Sequence, residues 1–395
     1  MKTKSKIVLR SLLLLVLFAA LIIVPMRWQA WFGMPAEPVF TLSPGIQRVL
    51  VTAGADGIRD RIVTWVSGDS LPISFAVDGD TAIILPRKVT TEGGVTFAYR
   101  SPALHLAEGV HRYSILSGTE AFEDSLSIKE GKDFETFVYI GDIQDREPGL
   151  TRDFLRSIEE RQPQADAWLF AGDMLERGHD RYWEIFYEAV RDFAPHTPFL
   201  PAAGNHEYTK GLNKHADPRW IEAFPRETLP FGVFSYCTDY PHARLVTIDT
   251  NHLPYGFLTL IEWLKKVLTE RTDHPFLIVM MHHGVHSMAS GRVNLTERLI
   301  LGPLFRKCGV HLVLQGHDHV YARMKAKPGE PHYLTSTTSL KSYGVKPDPS
   351  RLEASADSGR FYVVLDIDGE TLRGTTFDEK HTPFDQFTIE NNLRR

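Results

Sequence analysis

The sequence predicts three parts in a row: an N-terminal membrane helix, an all-β sandwich, and an α/β unit whose sheet layers are covered by helices. Three observations predict this order. Ser11 to Met26 carries no charge and follows Lys2, Lys4, Lys6 and Arg10. Short alternating runs then recur, punctuated by Gly and Asp at ~8–12 residues or somewhat more, the spacing of a sandwich. From Lys132 onward β-like runs alternate with helical stripes. A length of 395 residues allows two domains, and 43% hydrophobic with 24% charged residues describes an ordinary globular protein. The net charge of −5 gives no support for nucleic-acid binding through a basic surface.

The first part is residues 1–33, with a membrane segment expected at about 7–26. A basic flank followed by an apolar run reads as a signal anchor or a secretory signal. The uncharged run is slightly short of the ~20 apolar residues that span a bilayer. Arg10 can snorkel, and Trp28, Trp31 and Phe32 resemble an interfacial aromatic belt. The absence of a convincing Ala-x-Ala site favours an uncleaved anchor. No cysteine follows the run to accept lipid. The positive flank belongs in the cytoplasm, so the rest of the chain is expected on the periplasmic or extracellular side of the cell membrane. Cys237 and Cys308 are too few for a disulfide framework; two free, buried thiols are expected, with one disulfide left open.

Residues 34–45, with Pro35, Pro38 and Pro44, suit a linker. Residues 46–131 hold the sandwich strands, read at Gln47–Thr52, Arg61–Val66, Thr81–Leu85, Thr96–Tyr99 and His111–Leu116. This region shows no cluster of catalytic residue types.

Residues 132–395 form the α/β unit. Leu150, Phe154 and Ile158 make one helical stripe, and Leu260, Ile261, Leu264, Val267 and Leu268 a second; both are expected to face the core. Phe361–Gly369 reads as a strand and turn, with Leu372–Phe377 as its hairpin partner. Five segments share one grammar, an apolar β-like run that delivers a ligand-type side chain. They are Phe137–Ile140 before Gly141-Asp142-Ile143-Gln144, and Trp168–Phe170 before Gly172-Asp173. Next come Phe199–Ala202 before Gly204-Asn205-His206-Glu207, Leu277–Met281 before His282-His283, and Val310–Leu314 before Gly316-His317-Asp318-His319. Ligands bind outside the carboxyl ends of strands in open α/β sheets, so all five loops are expected on one rim. Imidazole is the commonest metal ligand, and two histidines at i, i+2 can converge on one metal or a pair.

The order Gly-Asp, Gly-Asp, Gly-Asn-His-Glu, His, Gly-His-x-His resembles the calcineurin-like metallophosphoesterase superfamily, from about Phe134 to the C-terminus. The resemblance implies a four-layer α/β sandwich, two mixed sheets flanked by helices, with the Phe361 and Leu372 strands closing the second sheet. Residues 46–131 resemble the small fibronectin III-like domain ahead of the catalytic domain in purple acid phosphatases and related bacterial enzymes. A generic β-sandwich spacer fits those residues equally well.

By motif matching, the resemblance implies two metals bridged by Asp173. One takes Asp142, Asp173 and His319; the other takes Asp173, Asn205, His282 and His317. Mixed nitrogen and oxygen donors suit transition metals more than calcium. Two departures stand out. The common Asp-x-His is here Asp142-Ile143-Gln144. Gln144 is assigned to the first metal through its amide oxygen, as in some manganese-dependent members; a Gln behind the ligands or facing solvent is the alternative. An oxygen donor in place of imidazole favours Mn or Fe, with Zn still open. The position where purple acid phosphatases carry their metal-bound Tyr is Glu176, so the tyrosinate colour should be missing.

The implied chemistry is attack of metal-bound water or hydroxide on phosphorus, with Asp173 and His206 as catalytic residues and His206 assisting the leaving group. Glu207 and Asp318 are both candidates to orient an imidazole. Arg177, His206, Tyr208 and His283 are candidate substrate contacts; the alternatives are a solvated surface Arg177, a structural His206 and a His283 that only supports the ligands. His283 points to the opposite face from His282 if the strand continues. Lys210 and His215 lie in the following loop, where selectivity is often set. The expected substrate is a phosphorylated small molecule and the expected activity a phosphatase. A phosphodiesterase or nucleotide diphosphatase is the alternative in the same superfamily. A non-catalytic envelope protein that keeps its metals for structure is the alternative of another class.

Overall fold

The protein was analysed as a computed structural model, which describes residues 2–33, 37–38, 40–210, 214–251, 256–270, 274–345 and 349–391. Helix α1 covers Lys2–Phe32. Its stretch Ser11–Trp28, with mean hydropathy 2.3, is long and apolar enough to cross a membrane, and none of it is buried against the rest of the chain. A signal sequence passes the same test of length and composition. The side chains of Trp31 and Phe32, and residues 34–36 and 39 of the expected linker, lie outside the described residues.

The next stretch is all strand: β1 Gln47–Ala53, β2 Asp60–Ser67, β3 Ile73–Val77, β4 Asp80–Ile84, β5 Arg87–Thr91, β6 Gly94–Arg100, β7 Leu104–His105, β8 Gly109–Ser117 and β9 Glu120–Ile128. Strands β4-β3-β8-β9 form one sheet; β1-β2-β6-β5 face it, with β7 paired to β2. Inward residues from both sides share one core, in which Trp65 stacks between Phe75 and Tyr99.

The rest of the chain is layered. It contains β10 Glu135–Ile140, α2 Leu150–Glu159, β11 Ala167–Phe170, α3 Asp180–Val190, β12 Phe199–Pro201, α4 Pro218–Ala223, β13 Tyr236–Asp239 and β14 Ala243–Ile248. Then follow α5 Phe257–Thr269, β15 Phe276–Met281, α6 Gly302–Lys307, β16 Leu312–Gln315, β17 Tyr321–Met324, β18 His332–Thr335, β19 Leu352–Ala356, β20 Tyr362–Ile367, β21 Thr371–Phe377 and β22 Pro383–Glu390. A mixed first sheet runs β22-β21-β20-β10-β11-β12, and a mixed second sheet runs β13-β14-β15-β16-β18-β17-β19. Period-2 alternation splits β10 between two cores. Phe137 and Tyr139 face the second sheet, together with Leu245, Ile278, Leu312 and Leu334. Val138 and Ile140 face α2 and α3. Helices α5 and α6 cover the far side of the second sheet, where all five residues of the Leu260 stripe are buried.

Three expectations need correction. Strands β20 and β21 close the first sheet, not the second: β20 pairs antiparallel with β10 along its whole length. Leu150 of the first helical stripe is 48% exposed, because the buried face of α2 is Thr151, Phe154, Leu155 and Ile158. The sandwich is joined to this part through the first sheet. Strand β1 pairs parallel with β12 at Thr52 and Phe199, so one sheet runs through both parts. The seam is reinforced by Val51 N–H to Ala194 O at 2.9 Å and by the Tyr113 hydroxyl to Pro195 O at 2.7 Å. Cys237 and Cys308 are free thiols, half-buried rather than buried.

Candidate metal centre

Strands β10, β11 and β12 run parallel, as do β14, β15, β16 and β18. The loops that leave their carboxyl ends therefore meet on one rim. They pack backbone against backbone. A Cβ at Gly204 would lie 2.2 Å from Asp173 N, and one at Gly172, whose φ is +88°, would lie 2.7 Å from Gly204 N. The small residues of the strand-end grammar are what this approach requires. Asp173, His317 and His319 themselves hold left-handed φ angles of 49°, 73° and 48°. Such angles cost energy for residues with a Cβ, and they concentrate at functional sites.

Two clusters result. Ligand atoms of Asp142, Asp173 and His319 lie within 4.8 Å of one another, as do those of His282, His283 and His317. Asp173 joins them: its Oδ1 is 3.2 Å from His282 Nε2. The same Nε2 is 3.2 Å from Asn205 Oδ1 and 3.2 Å from His317 Nδ1. On its other side, His282 donates from Nδ1 to Ala171 O at 2.8 Å, which aims Nε2 at the cluster.

The donor set fits transition metals. Gln144 Nε2 donates to Glu176 Oε2 at 3.0 Å, and its Oε1 is buried with no hydrogen-bond partner. His319 Nδ1 is likewise buried and unpartnered. Buried polar atoms are seldom left so, and an unmet cation is one of the few explanations. Burial pushes His319 down to about 3, with Lys341 adding to it, and pushes His283 down to about 3, with His282 adding to it. Burial also holds His317 far below its usual value. Neutral imidazole is the form that ligates. Burial acts to lower His282, but the Asp173 carboxylate beside it raises it to about 9. Burial, helped by the charge of Asp173, lifts Asp142 to about 7. Burial works the same way on Asp173, but the charges of His282 and His206 outweigh it and hold that carboxyl well below the usual range. Two fully buried carboxylates side by side need positive charge between them.

Residues 135–321 match the calcineurin-like phosphoesterase family. The matched residues run from β10 into β17 and include Asp142 through His319. Purple acid phosphatase 18 of Arabidopsis thaliana is 26% identical over 301 residues, 68% of this chain and 64% of that protein. Purple acid phosphatase 5 of the same plant is 25% identical over 315 residues, 70% of each. The chain thus spans just under two thirds of the length of the first of these relatives. The solved structure of purple acid phosphatase PPD1 from yellow lupin (Lupinus luteus) seeds superposes with a TM-score of 0.71 at 16% identity, covering 89% of this chain and 75% of that one. At that identity the likeness is one of fold.

Within the matched residues the four candidate substrate contacts separate. His206 lies at the clusters: its N–H donates to Asp173 Oδ1 at 2.9 Å, and its Nε2 is 3.8 Å from Asp173 Oδ2. Its Nδ1 bonds to the Glu176 carbonyl. His283 does not turn to the opposite face. The strand ends at Met281, and the ring lies 4.4 Å from that of His317, with Thr250 Oγ1 on its Nδ1 at 2.8 Å. Tyr208 is buried, and its hydroxyl donates to Asp249 Oδ2 at 2.6 Å. Arg177 lies over the Tyr182 ring and 3.6 Å from Glu37. Of the selectivity loop, His215 bonds through Nδ1 to Ala216 O at 3.2 Å, and residues 211–213 are outside the described residues.

Neither candidate partner orients an imidazole. Glu207, fully buried, accepts four backbone N–H groups: Gly204 at 2.7 Å and Asp173 at 2.9 Å on Oε2, Met174 at 2.8 Å and Leu175 at 3.1 Å on Oε1. It ties the Asp173 loop to the Asn205 loop. Asp318 ties the next pair, accepting from Ser287 Oγ at 3.1 Å and from the N–H groups of Met288 and Ala289.

The sequence reading missed a sixth strand end. Strand β14 delivers Asp249-Thr250-Asn251 to the same rim. Asp249 accepts from Asn251 Nδ2 at 3.0 Å, and that amide also donates to Ala203 O at 3.0 Å and Gly204 O at 3.2 Å, bracing the Asn205 loop. The signal was present: an apolar run, Leu245–Ile248, that stops at a carboxylate. Glu176 was noted only as a missing tyrosine. Burial acts to raise its carboxyl, but hydrogen bonds from Arg146 and Gln144 outweigh that and keep it below its usual value.

Proposed function

We propose that this protein is a binuclear-metal phosphoester hydrolase, a phosphatase acting on phosphorylated small molecules. Asp142, Gln144, Asp173 and His319 would hold one metal; Asp173, Asn205, His282 and His317 the other, with Asp173 shared. Mn or Fe suits the oxygen-rich first set best. The observation that carries the reading is the buried, unpartnered Gln144 Oε1, its amide turned by Glu176 at the edge of a carboxylate–imidazole cluster. When bound, such a metal pair supplies Lewis-acid polarisation of the phosphoryl group and a nucleophile at neutral pH.

The chain's own residues do the rest. Asp173 and His282 fix the spacing of the two clusters. Nδ1–H of His206 stays on the Glu176 carbonyl, so a proton on its Nε2 makes the ring an imidazolium. That proton passes to the leaving oxygen as the P–O bond breaks, and the ring returns to neutral without moving. Glu207 keeps the Asp173 and Asn205 loops in register while this happens.

The proposed organisation is a signal anchor in residues 1–33, a linker in 34–45, an accessory sandwich of fibronectin-like type in 46–131 and the catalytic domain in 132–395. Helix α1 holds the protein in the membrane with the catalytic domain outside the cytoplasm. The test is turnover of an aryl phosphate monoester, beside a diester, by the full chain before and after chelation. Metal-dependent turnover of the monoester is expected. No turnover of either ester at any added transition metal would point to the non-catalytic alternative.

A further inference from the structure

The sandwich meets the α/β part around a cavity that the proposed hydrolysis does not use. It measures about 330 Å³ and lies between β9 of the sandwich and the turns that lead into β11 and β12, with Arg61 of β2 in its wall. Asp166 and Pro198 line it, each one residue ahead of its strand. It therefore sits at the amino ends of β11 and β12, the end opposite the metal clusters. The volume is within the range of about 300–1,000 Å³ that small-molecule sites show.

Arg61 sets its chemistry. Period-2 alternation puts Arg61 on the same face of β2 as Val63 and Trp65, which belong to the sandwich core. The residue is only 5% exposed. Its Nη1 donates to Gly57 O at 2.9 Å and to Asp60 O at 2.8 Å. Among the described residues, Nε and Nη2 donate to nothing, and no carboxylate lies within ion-pair distance of the guanidinium. Burial pushes Arg61 below its usual value, as it does for a cation without a paired counter-charge. An unpaired buried charge is costly, and the planar guanidinium fork is the side chain best matched to an oxyanion.

The two carboxylates on the cavity wall are engaged elsewhere. Asp166 Oδ2 holds Lys132 Nζ at 2.6 Å and the Thr136 N–H at 2.9 Å. Asp124 holds His196 Nδ1 at 3.2 Å and the Ser125 N–H at 2.7 Å. The remaining polar wall is rich in donors. Lys129, just past β9, reaches across to Gln164 Oε1. The hydroxyls of Ser125, Ser127 and Thr197 make no side-chain hydrogen bond among the described residues.

We infer that this cavity binds a phosphate-class oxyanion, as the free ion or as the head of a small organic phosphate. Arg61 meets it with Nε and Nη2, Lys129 and the serine hydroxyls meet it from the β9 side, and Thr197 from the turn before β12. Such charge-assisted hydrogen bonds are the strong ones. The anion ties the sandwich to the α/β part at the end away from the metals. The inference goes beyond the hydrolase reading and does not rest on it.

The test is backbone hydrogen exchange of the full chain in detergent, with inorganic phosphate, sulfate or methylphosphonate added in turn. Exchange in residues 124–129 and 164–166 should slow several-fold and saturate, a local readout that phosphate held at the metal rim does not move. Protection by phosphate and sulfate alone supports the free ion. Protection by methylphosphonate as well supports an organic phosphate, and a phosphonate resists hydrolysis at the rim. Arg61→Gln should raise the anion concentration needed by roughly tenfold or more, the worth of a hydrogen bond to a charged group. Ser127→Asp, at an exposed position of β9, puts a carboxylate at the anion's place and should abolish the protection. Both variants should leave aryl phosphate turnover unchanged. If Arg61→Gln fails to fold, Ser127→Asp decides alone. No protection by any of the three anions overturns the inference, and so does protection that Ser127→Asp leaves intact. Protection without turnover would sink the hydrolase reading and keep this one; turnover without protection would do the reverse.

Discussion

Glu207→Gln is the perturbation whose cost follows most directly from the structure. Burial, with the charge of Asp173, pushes Glu207 up to about 8, yet four backbone N–H groups, two on each oxygen, require the acceptor-only carboxylate. A glutamine keeps the shape but replaces one oxygen with NH₂. Whichever way the amide turns, two buried N–H groups then face a donor. Each unmet buried donor costs about 1–3 kcal/mol, so the change costs about 2–6 kcal/mol. That is a large share of the 5–15 kcal/mol that usually holds a domain folded. The two loops that lose their tie carry Asp173 and Asn205, so local opening should come before global unfolding, and metal retention should suffer first. The assay is metal content after dialysis, with thermal melting on the same samples. Wild-type metal content together with an unchanged melting temperature would refute the reasoning, because Glu207 would then not be what holds the loops.

Four further outcomes are expected. Asp173→Asn should lose more metal than Gln144→Ala, because Asp173 touches both clusters; equal or reversed losses would remove it from the bridge. Glu176→Ala should weaken the first metal without touching any ligand, since it frees the Gln144 amide to rotate, and restoration by Glu176→Gln would support the hydrogen-bond explanation. His206→Ala should keep its metal and lose roughly 10²–10⁴-fold in rate, less for a nitrophenyl ester than for an alkyl phosphate; an equal loss for both esters would make it a binding residue. The fourth concerns pH. The hydrogen bond that His196 Nδ1–H donates to Asp124, opposed by burial, raises His196 above its usual value and joins β9 to the loop before β12. Its contribution is therefore fully present below about 6.5, the unfolded value, and is lost as pH rises through the folded value. The melting advantage of wild type over His196→Ala should shrink from acid to alkaline pH, and a constant or growing gap would contradict the assignment.

The site was largely readable because its grammar is local. A buried strand shows as an apolar run, the rim begins where that run stops, and five ligand-type side chains follow at once. Asp249 obeyed the same rule and was passed over because it follows Ile248 directly, with no glycine to mark the strand end. What supports the site was harder to see. Gln144 is turned by Glu176, 32 residues away, and His206 by a backbone carbonyl that has no sequence signature. Glu207 belongs to a visible motif, yet its partners are main-chain N–H groups, which every residue except proline has. The fold divides the same way. The Leu260 stripe is a helix pattern and reads off directly, whereas Leu150 misled by sitting at a helix start, where the chain still faces solvent. Strands such as β9, Glu120–Ile128, were not singled out because their outward side chains are charged. The pairing of β1 with β12 is written in backbone hydrogen bonds across nearly 150 residues of chain, so the continuous sheet appears only in three dimensions.

The central claim is that these loops hold two metals for phosphoester hydrolysis. Elemental analysis of the purified full chain, on the same preparation used to measure aryl phosphate turnover, tests it most directly. The account predicts about two transition-metal ions per chain, with Mn or Fe prominent, and turnover that falls with the metals on chelation and returns when they do. An active preparation with close to no bound metal would contradict it.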